Sequence, residues 1–240
     1  MSLKIERYLQ TNNIKSDKTG SVFQVFITKK EEIINILHFA NSEHIQIYFN
    51  YSDKFKIKPK SQDTQYIFLI FNNFSEISEI NIANRYVVVE PRVKAKYLDQ
   101  ILKKDNFTFL PFTDNNSEFN IGQMIFNNII GENQAKTVDS ILGLEVILPN
   151  GELIHTGSKT LKSVSGYDIT SLYIGSQGIF GIVIKATLRI DPIISPSDSK
   201  KKRISKFNVQ SGFNDEELKL LRKLKSVIDP ENVLNVNYLI

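Results

Sequence analysis

Apolar positions along this chain follow two periods, and the switches between them mark its elements. Ile33, Ile34, Leu37 and Ala40 recur at helical spacing and predict a helix over 29–42 with Thr28 as its N-cap. Short apolar runs at 21–27, 45–49, 65–71 and 85–90 predict strands. Helices are expected at 3–10 and 94–104. Beyond residue 140 the pattern is strand-like again. Runs at 141–148 and 152–157 flank the turn Pro149-Asn150-Gly151, and 182–190 adds a third strand to the same second sheet. A last helix is expected over 214–227, with Leu218, Leu221, Leu224 and Val227 on one face, Asn214 as N-cap and Glu217 at the capping-box position. The expected class is α+β.

Composition narrows the picture. The chain has 240 residues, 41% hydrophobic and 23% charged, enough to bury a real core. Its net charge is +4, with both signs mixed throughout. No basic stripe interleaved with aromatics appears, so nucleic-acid binding is not expected. The densest basic run, Lys200-Lys201-Lys202-Arg203, reads as part of a linker. There is no cysteine, which excludes disulfides and cysteine-held iron–sulfur clusters within these residues. No apolar run is long enough to span a membrane, and the cytoplasm is the expected compartment.

The chemistry-bearing stretch runs from Ile141 to Pro192. A short helix is expected to begin at Asp168, and Gly175, Gly178 and Gly181 punctuate the turn after it. Glycines let a backbone approach a ligand without a Cβ in the way, as in phosphate and cofactor cradles. The segments Leu142-Gly143-Leu144-Glu145-Val146, Pro149-Asn150-Gly151-Glu152, Lys162 through Asp168, and Gly175-Ser176-Gln177-Gly178-Ile179-Phe180-Gly181 together resemble a known family. It is the FAD-binding, PCMH-type domain of flavin-linked 2-hydroxy-acid oxidoreductases. Its members include D-lactate dehydrogenases and the two flavin subunits of bacterial-type glycolate oxidase. The run 162–168 looks most like the smaller of those two subunits. Val87-Val88-Val89-Glu90-Pro91, Asn120 to Asn128, and the tail from Leu224 to Asn235 extend the likeness to about two-thirds of the chain.

The resemblance implies a two-lobed, vanillyl-alcohol-oxidase-like domain over 1–192, with lobes at about 21–82 and 85–191 and a cofactor groove between them. It also implies a linker over 193–213 and a helix and tail over 214–240 that pack on the core. Candidate FAD contacts are Ser52, Lys54, Pro111, Thr113, Gly122, Asn127, Asn128, Gly175, Gly178, Gly181, Ile182 and Val183. The reading of the residues alone leaves open an ordinary strand and turn with aromatic packing for 47–55, turn chemistry for Thr113, backbone bonding for Asn127 and Asn128, and a tight turn for Gly178 to Gly181.

Three departures from the family pattern bear on function. The loop that would grip the FAD pyrophosphate corresponds to 47–55 and holds no glycine. Arg92 stands where the family continues into glycine. Only about twenty residues lie where the family carries a cap domain, too few for one. No His or Cys stands in 47–55 to form a covalent link, so the implied FAD is non-covalent, and with the glycines missing it is weakly held or lost. His38, His44 and His155 do not cluster, no metal-ligand spacing occurs, and no catalytic residue is assigned. The expected role is an FAD-binding subunit of a multi-subunit glycolate or D-lactate oxidoreductase. The alternative is a non-flavin scaffold that keeps the fold to assemble such a complex. Expected partners are a larger flavin subunit, an iron–sulfur subunit and a small 2-hydroxy acid. An apolar face around Tyr48, Phe49, Tyr51 and Phe55 is the expected docking surface.

Overall fold

The computed structural model describes residues 2–52, 65–131, 134–158, 168–193 and 215–236. The expectations placed on Lys54, Phe55, 162–167, 200–203 and Asn214 lie outside the described residues. In chain order the first half holds α1 (Ser2–Thr11), β1 (Ser16–Thr19), β2 (Val22–Ile27), α2 (Lys30–Glu43), β3 (Gln46–Tyr48), β4 (Tyr66–Phe71), β5 (Ile77–Asn81), β6 (Tyr86–Val89) and α3 (Ala95–Leu102). The rest holds β7 (Phe107–Thr108), α4 (Ile121–Asn127), β8 (Ile141–Ile147), β9 (Leu153–Gly157), α5 (Thr170–Tyr173), β10 (Ile182–Arg189), β11 (Asp191–Pro192) and α6 (Asp215–Ile228). The mixed α+β architecture is the one the sequence implies.

A four-stranded sheet in the order β1-β2-β4-β3 forms the first layer. β4 pairs in parallel with β2 and β3, and all six of its residues are buried. A central parallel strand must be apolar on both faces, which is why it reads as an unbroken run. The helix α2 buries Ile33, Ile36, Leu37 and Ala40, while Ile34 lies at the margin. Its N-cap is Lys29, one residue after the expected Thr28. The reason is Glu32, whose carboxylate accepts the Thr28 N–H at 2.7 Å and so fixes the first turn one position later.

The second sheet is antiparallel, in the order β5-β6-β10-β8-β9. Strand β5 falls within the expected first lobe of 21–82, yet it hydrogen-bonds to β6 and belongs to this sheet. The short helix after Asp168 starts at Thr170, with the Asp168 carboxylate accepting the Ser171 N–H at 3.2 Å.

The tail returns to the first sheet. Leu234 bridges Ile47 in parallel, through Ile47 N–H to the Val233 carbonyl at 2.8 Å and Asn235 N–H to the Ile47 carbonyl at 2.9 Å. On α6 the inward face is Leu221, Leu224, Lys225 and Ile228, and Val227 is 75% exposed. Val227 corrects the expected face: at 100° per residue it falls on the side opposite Leu218. The two sheets share one apolar core. Ile47 and Phe71 of the first sheet and Val146, Ile147 and Val183 of the second join Phe49, Tyr51 and the α4 residue Phe126 in a single cluster.

Candidate functional site

The place where the lobes meet is built around Tyr51. Strand β3 ends at Tyr48, and Phe49 and Tyr51 follow it into the space between the sheets, 0% and 2% exposed. Tyr51 has φ +57, a left-handed conformation that suits glycine. Three bonds hold it there. Its hydroxyl donates to the Val183 carbonyl at 2.8 Å. Its own carbonyl accepts from Arg92 Nη1 at 2.9 Å and from Asn120 Nδ2 at 2.8 Å. An unfavourable backbone conformation persists where surroundings over-determine it in this way. The ring packs against Phe49, Phe71 and Phe126, with centroids 5.3, 5.0 and 6.2 Å away. Burial holds the Tyr51 phenol neutral and raises its pKa well above the ordinary tyrosine range.

The helix α4 supplies the facing wall. Asn120 caps it, its Oδ1 accepting the Gln123 N–H at 2.8 Å while its Nδ2 reaches Tyr51. Gly122 follows immediately. A Cβ there would lie 2.6 Å from Tyr51 Cγ and 2.8 Å from Pro91 Cβ, so glycine is required for the ring to fit. The far end of α4 is tied to the glycine turn, since Gly175 N–H donates to the Ile125 carbonyl at 2.8 Å and Gln177 N–H to the Phe126 carbonyl at 3.2 Å. At Gly178, φ +71, a Cβ would overlap the Phe49 ring and stand 2.7 Å from Asn235 Nδ2. Asn235 in turn donates to the Gln177 carbonyl at 2.7 Å and accepts the Phe49 N–H at 3.0 Å.

The structure therefore brings Gly122, Gly178, Ile182 and Val183 to the lobe junction, each of the four buried. Gly175 and Gly181 sit at the ends of the same turn. A Cβ on Gly175 would meet Asn128 Cβ at 2.9 Å, and one on Gly181 would meet Val146 Cγ1 at 2.6 Å. The other described candidates make local bonds. Thr113 N–H donates to Asn116 Oδ1 at 2.9 Å, and Asn116 Nδ2 donates to the Pro111 carbonyl at 2.8 Å, which is turn chemistry. Asn127 Nδ2 donates to the Gln123 carbonyl at 2.9 Å, and Asn128 Oδ1 accepts the Val138 N–H at 3.1 Å. Ser52 N–H donates to Asn50 Oδ1 at 3.0 Å.

Sequence reasoning missed Tyr51, Phe49, Asn120 and Asn235 as residues of the junction. The expected docking face at Tyr48, Phe49 and Tyr51 is also corrected, because all three are buried. Their aromatic character serves the core: Tyr48 packs edge-on to Tyr66, and the other two fill the junction. The histidines lie elsewhere. His38 sits under Gly151, His44 pairs with Glu231 at 3.0 Å, and His155 faces Glu145 at 3.6 Å. Among the described residues no cluster of three His, Cys, Asp or Glu side chains is placed to hold a metal ion. No described helix is long and apolar enough to cross a membrane.

A two-lobed mixed fold with a glycine turn facing a capped helix across the junction is that of a PCMH-type FAD-binding domain. The FAD binding domain family model matches residues 23–157, more than half of the chain, and the chain belongs to that family. It is 35% identical over 127 residues, 52% of its length, to glycolate oxidase subunit GlcD of Bacillus subtilis, and covers 27% of that protein. It is 29% identical over 168 residues, 69% of its length, to D-lactate dehydrogenase of Archaeoglobus fulgidus, and covers 38% of it. The chain thus spans well under half the length of these curated relatives. Among solved structures, an alkyldihydroxyacetonephosphate synthase matches with TM-score 0.60 at 13% identity, covering 72% of this chain and 32% of that one. p-Cresol methylhydroxylase matches with TM-score 0.57 at 20% identity, covering 71% and 35%. These two likenesses show the fold.

Family membership supports FAD as the cofactor. The junction as packed does not fit it. Gly122 and Gly178, whose missing side chains would let a cofactor approach, are covered by Tyr51 and by Phe49 with Asn235. The Val183 carbonyl, part of the wall the resemblance assigns to FAD, accepts the Tyr51 hydroxyl instead.

Proposed function

We propose that this chain is a subunit of a flavin-linked 2-hydroxy-acid oxidoreductase assembly of the glycolate oxidase type, in which a partner subunit completes the catalytic site. The observation that carries the proposal is the filled junction: the family fold is retained while Tyr51 packs on Gly122 and bonds the Val183 carbonyl, where the resemblance would put the cofactor wall. The likeness to glycolate oxidase subunit GlcD and to D-lactate dehydrogenase supports the substrate class. A flavin, where bound, would supply the hydride acceptor for such a reaction, and protein groups would have to orient the 2-hydroxy acid and take its hydroxyl proton. Around Tyr51 the side chains of Phe49, Phe71, Phe126, Asn120 and Arg92 offer no base suited to that proton. The twenty-one residues from 193 to 213 are too few for a domain that would close over a substrate. Both functions then fall to a partner, for which the larger flavin subunit, with an iron–sulfur subunit as electron relay, is the natural choice. The cytoplasm is the compartment this reading assigns.

The second reading, a scaffold that never carries flavin, is favoured by the same Tyr51–Gly122 packing. The test of the proposal is co-expression with a larger flavin subunit of the glycolate oxidase type, followed by a dye-reduction assay with glycolate and with D-lactate. Stable co-purification, with activity that falls when this chain is left out, is the expected result. Robust turnover by the isolated chain, or failure to associate, would sink it.

A further inference from the structure

Two of the chain's departures from the family pattern meet in one contact. The glycine-free loop provides Tyr51, and the position where the family continues into glycine provides Arg92. In the structure Arg92 Nη1 donates to the Tyr51 carbonyl, the contact that helps hold Tyr51 at φ +57. Asn120 adds a second donor to the same carbonyl. The ring then fills the space over Gly122, and the hydroxyl takes the Val183 carbonyl. The side chain is thus fixed at its backbone, along its ring and at its tip.

We infer that Tyr51 is a built-in stopper of the cofactor groove, so that a flavin dinucleotide and the Tyr51 ring compete for one space at the lobe junction. The inference rests on the reading of this chain as an FAD-type domain. Three consequences follow from the geometry. Wild-type chain holds FAD weakly, because binding must first displace a buried aromatic side chain. Removing only the hydroxyl leaves the ring, and so the obstruction, in place. Replacement by glycine removes the obstruction and suits the backbone, since glycine adopts φ +57 without strain.

The experiment titrates FAD into the purified full chain as wild type, Tyr51→Phe and Tyr51→Gly, followed by flavin fluorescence and by calorimetry. Tyr51→Asn, smaller and tolerant of positive φ, replaces the glycine variant if that one fails to fold. Folding is checked by circular dichroism. The expected result is that Tyr51→Gly or Tyr51→Asn binds FAD at least tenfold tighter than wild type, with Tyr51→Phe close to wild type. A folded Tyr51→Gly or Tyr51→Asn no tighter than wild type would overturn the inference. So would tight one-to-one binding by wild type itself, which decides the matter even if neither small variant folds. Failure of the subunit proposal would show instead as loss of partner association, which this titration does not read.

Discussion

Lys225 and Asp229 form a buried ion pair one helical turn apart at the end of α6, and through it the tail is locked to the glycine turn. The Lys225 ammonium also donates to the Ile179 carbonyl at 2.7 Å and to the Leu234 carbonyl at 2.6 Å. Asp229 accepts the N–H groups of Val233 and Leu234 at 3.0 and 2.9 Å. Both side chains are almost wholly out of water, 6% and 0% exposed. Burial lowers the Lys225 pKa, and the nearby Asp229 carboxylate acts in the opposite sense.

Lys225→Met leaves Asp229 as an uncompensated buried charge. Breaking such a pair costs about 3–5 kcal/mol, so chemical denaturation should show a loss of that order. An unchanged midpoint would mean the pair does not hold the tail.

Asn235→Ala tests the next link. Its amide bridges the backbone of Phe49 and of Gln177, joining the tail to both sides of the junction. Losing these bonds, with buried partners left unpaired, should cost on the order of 2–3 kcal/mol. Thermal unfolding reads the effect, and a shift within error would show the bridge to be dispensable.

Gly122→Ala should be poorly tolerated, because its Cβ meets the Tyr51 ring at 2.6 Å. Overpacking of this kind costs about 1–3 kcal/mol. In a Tyr51→Gly background part of that cost should disappear, since one of the two clashing neighbours is gone. A double-mutant cycle measures this coupling, and additive losses would separate the two residues.

Alkaline pH gives an independent handle on Tyr51. Its folded pKa is raised above the unfolded value by burial. Such a group contributes stability that is present below the unfolded tyrosine pKa of about 10 and lost as pH rises toward the folded value. Stability should fall as pH climbs above that point, and less steeply in Tyr51→Phe. Tyr8, Tyr66 and Tyr173, raised for the same reason, contribute in the same direction and remain in the variant. Identical slopes for wild type and variant would contradict the burial of the Tyr51 hydroxyl.

The sequence made the layers legible because their signals are local. The buried run Tyr66–Phe71 and the paired strands around Pro149-Asn150-Gly151 announce themselves by apolar pattern and turn chemistry. β1, with the sequence Ser-Asp-Lys-Thr, carries no apolar alternation and is defined only by pairing to β2. β5 belongs to the second sheet through hydrogen bonds to β6 that no local pattern encodes. The glycines of the site were legible, but not what lies against them. Tyr51 reads as a loop aromatic until the fold sets it over Gly122, and Asn235 is 186 residues from the Phe49 backbone it bonds.

The visible absorption spectrum of the chain, purified alone after expression with ample flavin, tests the central claim most directly. With Tyr51 in the cofactor space and a partner completing the site, the isolated chain should be colourless or carry far less than one flavin per chain. Flavin absorption should appear when it is purified with its larger partner. A yellow isolated chain that keeps one FAD per polypeptide through gel filtration would contradict the account.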